Sequence, residues 1–207
     1  VYNSKQALIY RWLSSSQYFM RCTVSSGAKY AAAAALGQED GMFQSSVVLF
    51  RTDSEEILRT IPIGNALIYD LHFLPGNTLC VLCEDALYFY DLDGQCLGSY
   101  AFEDAYLKDY TLNGNGFVTL VMNLYKAGNG YTALTVGYDG TVLGTLPISE
   151  QILDISASGK YLALLTSGAL SIYDQNLTEY DVSDNTTGAS SAVMREDGSA
   201  ILLANGH

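Results

Sequence analysis

A strand–turn–strand unit recurs along this chain about every forty residues, and no other feature narrows its fold as much. Cys22-Thr23-Val24-Ser25-Ser26-Gly27 leads into an apolar run at 30–36. Asp70-Leu71-His72-Phe73-Leu74-Pro75-Gly76 leads into 78–83, and Asp109-Tyr110-Thr111-Leu112-Asn113-Gly114 into 117–122. Asp154-Ile155-Ser156-Ala157-Ser158-Gly159 leads into 161–166, and a fifth copy, Ala192-Val193-Met194-Arg195-Glu196-Asp197-Gly198, into 200–204. A strand, a glycine-containing turn and a more apolar strand form a hairpin. The starts at Arg21, Asp70, Asp109, Asp154 and Ala192 lie 49, 39, 45 and 38 residues apart.

Each of the first four hairpins is followed by a third strand ending in an aromatic, at 47–50, 87–90, 133–138 and 170–173. An Asp- or Asn-bearing turn and a fourth strand come next, at 57–63, 96–102, 142–148 and 179–182. Four antiparallel strands per repeat make a propeller blade, an architecture whose radial repetition protects sheet edges. The expected fold is therefore all-β: a β-propeller of four-stranded antiparallel blades, about four complete blades plus partial terminal blades. It spans residues 1–207 as one domain, or forms the C-terminal portion of a larger propeller. Segment 7–12 sits where an outermost strand would, and the last hairpin supplies only first and second strands. Those partial blades could meet and close a ring, or be edges open to pairing with another chain. The chain opens on Val1, so it is expected to be a trimmed piece of something longer.

Tyr30-Ala31-Ala32-Ala33-Ala34-Ala35-Leu36 conflicts with this pattern, because alanine has the highest helix propensity. A run this short does not hold a helix alone. Its alignment with the other second strands predicts a strand whose small side chains allow close sheet packing.

Composition agrees. Hydrophobic residues make up 49%, enough for a large core, whereas Tyr at 16 and Gly at 19 suit pleated sheets and tight turns. A net charge of −12 supplies no basic stripe, which argues against nucleic acid as a partner. No apolar stretch is long enough to span a membrane. The four cysteines, Cys22, Cys80, Cys83 and Cys96, lack the spacing of a disulfide framework.

Trp12-Leu13-Ser14-Ser15, the run Ala86-Leu87-Tyr88-Phe89-Tyr90-Asp91-Leu92-Asp93-Gly94, and Leu162-Ala163-Leu164-Leu165 with Ile172-Tyr173-Asp174 carry a resemblance. Through them the chain resembles the quinoprotein-like and WD40-like β-propeller superfamily. It is more closely similar to an uncharacterised Firmicutes propeller family known only as a domain of unknown function. The resemblance implies a propeller tethered by an upstream membrane helix outside a Gram-positive cell, and it brings no catalytic residues. The Gly-His…Trp-Asp signature of WD40 blades and the repeated Trp motif of quinoprotein blades are missing, so no quinone or other cofactor is expected.

Several constellations bear on chemistry. Cys80-Val81-Leu82-Cys83 is a C-x-x-C, but residues three apart on a strand face opposite ways and cannot share a metal. Asp91-Leu92-Asp93-Gly94 lacks the further oxygen ligands of a calcium loop and reads as a turn. Two histidines, His72 and His207, leave no His-based triad or multi-His metal site. Neither catalytic nor metal-ligating residues are assigned. Arg21, Asp70, Asp109 and Asp154 open successive first strands, and together would form a polar ring lining a channel or serve as a structural hydrogen-bonding device.

Blade lengths differ usefully. Arg21 to Phe50 and Asp109 to Val136 span 29 and 27 residues, against 20 for Asp70 to Tyr90 and 19 for Asp154 to Tyr173. Insertions between second and third strands, at 37–44 and 123–130, account for the difference. Loops held by rigid scaffolds concentrate binding residues. Phe43, Tyr106, Tyr125, Lys126 and Tyr131 are the expected contacts. Three functions compete: a non-catalytic, extracytoplasmic recognition or scaffold module with a protein or glycan partner; a glycan-active hydrolase or lyase with channel carboxylates; and an assembly subunit completing its ring with another chain. The first fits best, since no residue pattern demands catalysis.

Overall fold

The computed structural model describes residues 2, 5, 6, 8, 11, 13–54, 56–123 and 130–204. They fall into two compact units, Val1–Ala101 and Phe102–His207. In the first unit, strands Tyr18–Val24 (β1), Tyr30–Glu39 (β2), Met42–Arg51 (β3) and Ile57–Gly64 (β4) form one sheet in sequence order. Ile68–Phe73 (β5), Leu79–Cys83 (β6), Ala86–Tyr90 (β7) and Cys96–Ala101 (β8) form the next.

The second unit repeats this with Tyr106–Thr111 (β9), Phe117–Asn123 (β10), Tyr131–Gly137 (β11) and Val142–Ile148 (β12). Ile152–Ser158 (β13), Tyr161–Thr166 (β14), Leu170–Tyr173 (β15) and Glu179–Ser183 (β16) follow. Ala189–Met194 (β17) and Ala200–Ala204 (β18) close it as a two-stranded sheet. All these pairs are antiparallel. The fold is all-β with four-stranded antiparallel blades, as the repeat requires. Of segment 7–12, residues 7, 9, 10 and 12 lie outside the described residues, and Leu8 makes an isolated bridge to Tyr2.

Burial explains why the second strands are the most apolar. Every residue of β6 and of β10 is buried, because each strand is flanked by sheet neighbours and covered on both faces. Outer strands β8 and β16 are largely exposed. The alanine run is strand, and its two faces separate cleanly. Ala32 and Ala34 pack with Val47, Leu49, Leu71 and Val81, whereas Ala31, Ala33 and Ala35 pack with Val48 and Phe50. Helix propensity yields here to two ladders, β1 and β3, that satisfy the backbone of β2 on both sides.

A register slip recurs at one place in every first strand. Partner assignments skip Met20 in β1, Tyr69 in β5, Lys108 in β9, Leu153 in β13 and Ser190 in β17. Each skipped residue is a β-bulge, which bends its strand and increases the twist. The residue after the bulge is Arg21, Asp70, Asp109, Asp154 or Ser191, so the fifth repeat is structurally in step at Ser191, one residue before the start read from sequence. A second bulge recurs in the outer strands, at Leu58, Leu97, Leu143 and Tyr180.

Turns between third and fourth strands repeat one device. The Oδ1 of Asp91 accepts from the amides of Asp93 and Gln95, and that of Asp174 from the amides of Asn176 and Thr178. Asp139 Oδ1 accepts from the amide and hydroxyl of Thr141. These carboxylates close turns, the role expected of Asp91-Leu92-Asp93-Gly94. In the second unit, blades meet closely: a Cβ at Gly144 would lie 2.4 Å from the Asn176 carbonyl oxygen, so only glycine fits there.

Candidate functional site

The end of each blade where the second strand turns into the third also carries the passage to the next blade. In the first unit, the insertion at 37–44 forms no open loop. β2 and β3 simply extend, pairing to Glu39 and Met42 around the turn residues Asp40 and Gly41, both at positive φ. The polar composition reads as loop, but a two-residue turn with positive φ at both positions twists with its strands and prolongs the ladder. Phe43 stands on this extension opposite Gln38 and is 65% exposed, beside an exposed Met42.

In the second unit, the same end of the β9–β12 sheet holds Tyr106, Asn123, Tyr131 and Ile148 in one row. Tyr106 pairs with Asn123, Asn123 with Tyr131, and Tyr131 with Ile148. Tyr106 is exposed, Asn123 is buried, and Tyr131 is half-buried against the cluster containing Ile148 and Ile155. Tyr125 and Lys126 lie outside the described residues.

A pocket of about 190 Å³ opens at this end between two blades. Leu146, Pro147 and Ile148 of β12 line one side, and Leu164, Thr166, Ser171 and Tyr173 line the other, with Ser149, Glu150 and Ala169 also on its wall. Thr166 is buried, and its hydroxyl donates to Glu150 Oε2 at 2.5 Å while accepting from the amide of Ala169 at 3.1 Å. Sequence reasoning missed Glu150, which sits in a connection and belongs to no motif. No motif or spacing in the sequence marks it.

The four polar residues behind the bulges are placed as follows. Arg21 Nε donates to the carbonyl of Tyr69, the bulged residue of the next blade, at 3.1 Å. Asp70, Asp109 and Asp154 each accept at Oδ1 from the amide one residue on, at 2.8, 2.8 and 2.9 Å. Asp154 Oδ2 also accepts from the hydroxyl of Ser191 and, at 2.8 Å, from the amide of Ala192. Burial raises the carboxyl of Asp109 above the usual range; the amide of Tyr110 opposes this and the charge of Asp154 adds to it.

Cys80 and Cys83 are both buried, and Cys83 joins Leu79 and Val81 in a cluster that excludes Cys80, as opposite faces of β6 require. Burial pushes the Cys83 thiol up to about 12 and holds that of Cys80 well above the ordinary thiol range. Cys22 and Cys96 are exposed. Among the described residues no three His, Cys, Asp or Glu side chains are grouped to share a metal ion. Among the described residues no helix is long and apolar enough to cross a membrane.

The chain is similar to the β-propeller domain of the trilobed protease from Pyrococcus furiosus, a domain described as having an open velcro topology. The TM-score is 0.64 at 11% identity, over 95% of this chain and 65% of that one. It is similar to an oligogalacturonate lyase in complex with manganese, with a TM-score of 0.54 at 12% identity, over 88% of this chain and 57% of that one. Sqt1 from Chaetomium thermophilum, bound to the N-terminus of the ribosomal protein L10, gives 0.54 at 16% identity, over 85% and 52%. The chain thus spans about half to two thirds of these three structures. No curated protein matches it in sequence. Similarity at this identity establishes the fold, that of a β-propeller, and leaves function to the site. The sequence pattern of one family runs through residues 1–197, and by it this chain belongs to the family of unknown function DUF5711.

Proposed function

We propose that this chain is a non-catalytic recognition module, extracytoplasmic and tethered by an upstream anchor, that engages a protein or glycan partner through the blade ends where second strands turn into third. The observation that carries the reading is the exposure of large apolar and aromatic side chains there, Phe43 and Met42 in one unit and Tyr106 in the other. Isolated exposed apolar residues are ordinary; aromatic residues held on a rigid hairpin tip make effective interface anchors at small entropic cost. Tyr125, Lys126 and Tyr131 would extend the contact. In Sqt1, a structure similar in fold, the bound partner is a polypeptide segment, the N-terminus of the ribosomal protein L10.

The test is a thermal-shift screen against peptides, cell-wall glycans, polysaccharide fragments and divalent metals. A specific ligand stabilises the folded state by about 2.7 kcal/mol at a hundredfold excess over Kd. A reproducible shift that Phe43→Ala or Tyr106→Ala removes supports the reading. A flat screen refutes small-ligand recognition and leaves a protein partner, to be sought by pull-down.

A second reading, an assembly subunit, is favoured by β17–β18. This sheet has two strands where its neighbours have four, β18 has no outer partner among the described residues, and Val193, Ile201 and Leu203 are exposed. It predicts a concentration-dependent oligomer in sedimentation. The glycan-active reading draws on the raised Asp109 carboxyl. It is weakened because Asp154, the neighbouring carboxylate, already accepts three hydrogen bonds.

A further inference from the structure

We infer that the pocket between β12 and β14–β15 is a docking site for a lysine side chain of a polypeptide partner, with Glu150 as the counter-ion; the inference rests on the recognition reading above and names the chemistry of one contact.

The carboxylate is held in place before any ligand arrives. Thr166 is buried and fixed by the amides of Gly168 and Ala169, and its hydroxyl lies 2.5 Å from Glu150 Oε2 and 3.2 Å from the Ala169 carbonyl, the shorter contact favouring donation to Glu150. Gly168 provides the space: a Cβ there would lie 2.9 Å from Oε2 and 3.4 Å from Oε1. Among the described residues nothing donates to Oε1, and no cation pairs with the group. An oriented carboxylate with one open oxygen in a chain of net charge −12 calls for a cation.

The rest of the pocket selects the shape of that cation. Leu146, Pro147, Ile148, Leu164 and Tyr173 make an apolar wall suited to a methylene stem. The recess, about 190 Å³, has room for one such side chain rather than for an oligosaccharide. With Oε2 already accepting from Thr166, a guanidinium fork would have to share that oxygen with the hydroxyl, whereas an ammonium can use Oε1 alone. An ammonium is a point charge with three donors, and Ser149 and Ser171 on the wall supply hydroxyl acceptors for those that Glu150 does not take. The position suits a partner lying across the blade ends, because Ile148 pairs with Tyr131 and the passage to β13 carries Glu150.

The test titrates the intact chain with the capped tripeptide Ala-Lys-Ala, its Nε-acetyl-lysine counterpart and n-butylamine, followed by NMR shifts of the amides of Glu150, Gly168 and Ser171. The lysine peptide is expected to bind with shifts confined to these positions, and acetylation, which removes the charge, to weaken it at least tenfold. Glu150→Gln, which keeps an oxygen for Thr166, is expected to weaken it about tenfold with the melting temperature unchanged. Ser171→Leu, filling the recess, does the same by steric means, should the first variant disturb the fold. Equal binding of the acetylated peptide, or unaltered binding by both variants, overturns the inference. Butylamine binding as tightly as the peptide overturns the polypeptide source in favour of free amines. The two readings fail separately: loss of a screening hit in Phe43→Ala alongside absent lysine binding defeats only the pocket, and lysine binding insensitive to Phe43→Ala, with a flat screen and a pull-down that Phe43→Ala leaves unchanged, defeats only the loop-tip reading.

Discussion

Replacing Asp154 by alanine tests whether the polar residue behind each bulge is a clamp between blades. In the intact chain Oδ2 accepts from the amide of Ala192 at 2.8 Å and from the Ser191 hydroxyl, while Oδ1 holds the amide of Ile155 at 2.9 Å. Ala192 is 2% exposed, so its amide has no ready access to water once the carboxylate is gone. Leaving a buried donor unsatisfied costs about 1–3 kcal/mol, with bonds to charged acceptors toward the upper end. Ile155 is also buried, but Asp154 itself is only half-buried, so water recovers part of the loss there. A destabilisation of about 2 kcal/mol follows, equivalent to roughly thirtyfold faster amide exchange at Ala192 where local opening governs exchange. Asp154→Asn is expected to fall between wild type and alanine: one orientation of the amide keeps an oxygen for Ile155 and turns a donor toward the Ala192 N–H. Hydrogen exchange by NMR with no ligand present reads both variants. An Ala192 protection factor within twofold of wild type in Asp154→Ala would refute the clamp and return this aspartate to the pool of channel ligands.

Two further outcomes follow from burial. Because burial raises the folded-state carboxyl of Asp109, its contribution is most favourable when protonated and is lost as pH rises through the raised value. Asp109→Asn, which keeps an acceptor for Tyr110, should therefore be more stable than wild type at neutral pH, the gain vanishing as pH falls below the ordinary value of 3.8; urea midpoints at pH 3 and pH 7 check it, and a pH-independent difference refutes it. With Cys22 and Cys96 exposed and Cys80 and Cys83 buried, a thiol reagent should titrate two cysteines in the folded chain and four after unfolding. Rapid reaction of all four under native conditions would mean that β6 opens readily.

The blade repeat was legible because turn chemistry and apolar runs recur in register, and the alanine run was legible only through that register. The bulges left a fainter mark. Ile68, Leu71 and Phe73 are buried at spacings of three then two, as are Ile155 and Ala157 behind a half-buried Ile152. A single slip in a period of two looks like noise until the partner strand is known. The extension at 37–44 was read as loop because both its faces meet solvent, so it carries no apolar alternation. Glu150 was invisible for a different reason: its pocket is lined by residues of two neighbouring blades, a relation that no local pattern encodes.

The hydrogen bonds that Arg21, Asp154 and Ser156 make from the bulged strands point forward along the chain. Arg21 reaches the strand of the blade after it, and Asp154 and Ser156 reach β17, Ser156 by accepting from the Met194 amide at 3.0 Å. Each such link couples nearest neighbours only, the condition for one-dimensional cooperativity in repeat proteins. During synthesis, an emerging blade within a unit would therefore meet a preceding one already presenting its bonding groups, and growth within that unit would proceed as a zipper along the chain. Unfolding would run from the other side. The two-stranded β17–β18 sheet has the fewest strands to lose, and amide protection within the second unit should decline from β10 toward β18 in steps rather than all at once.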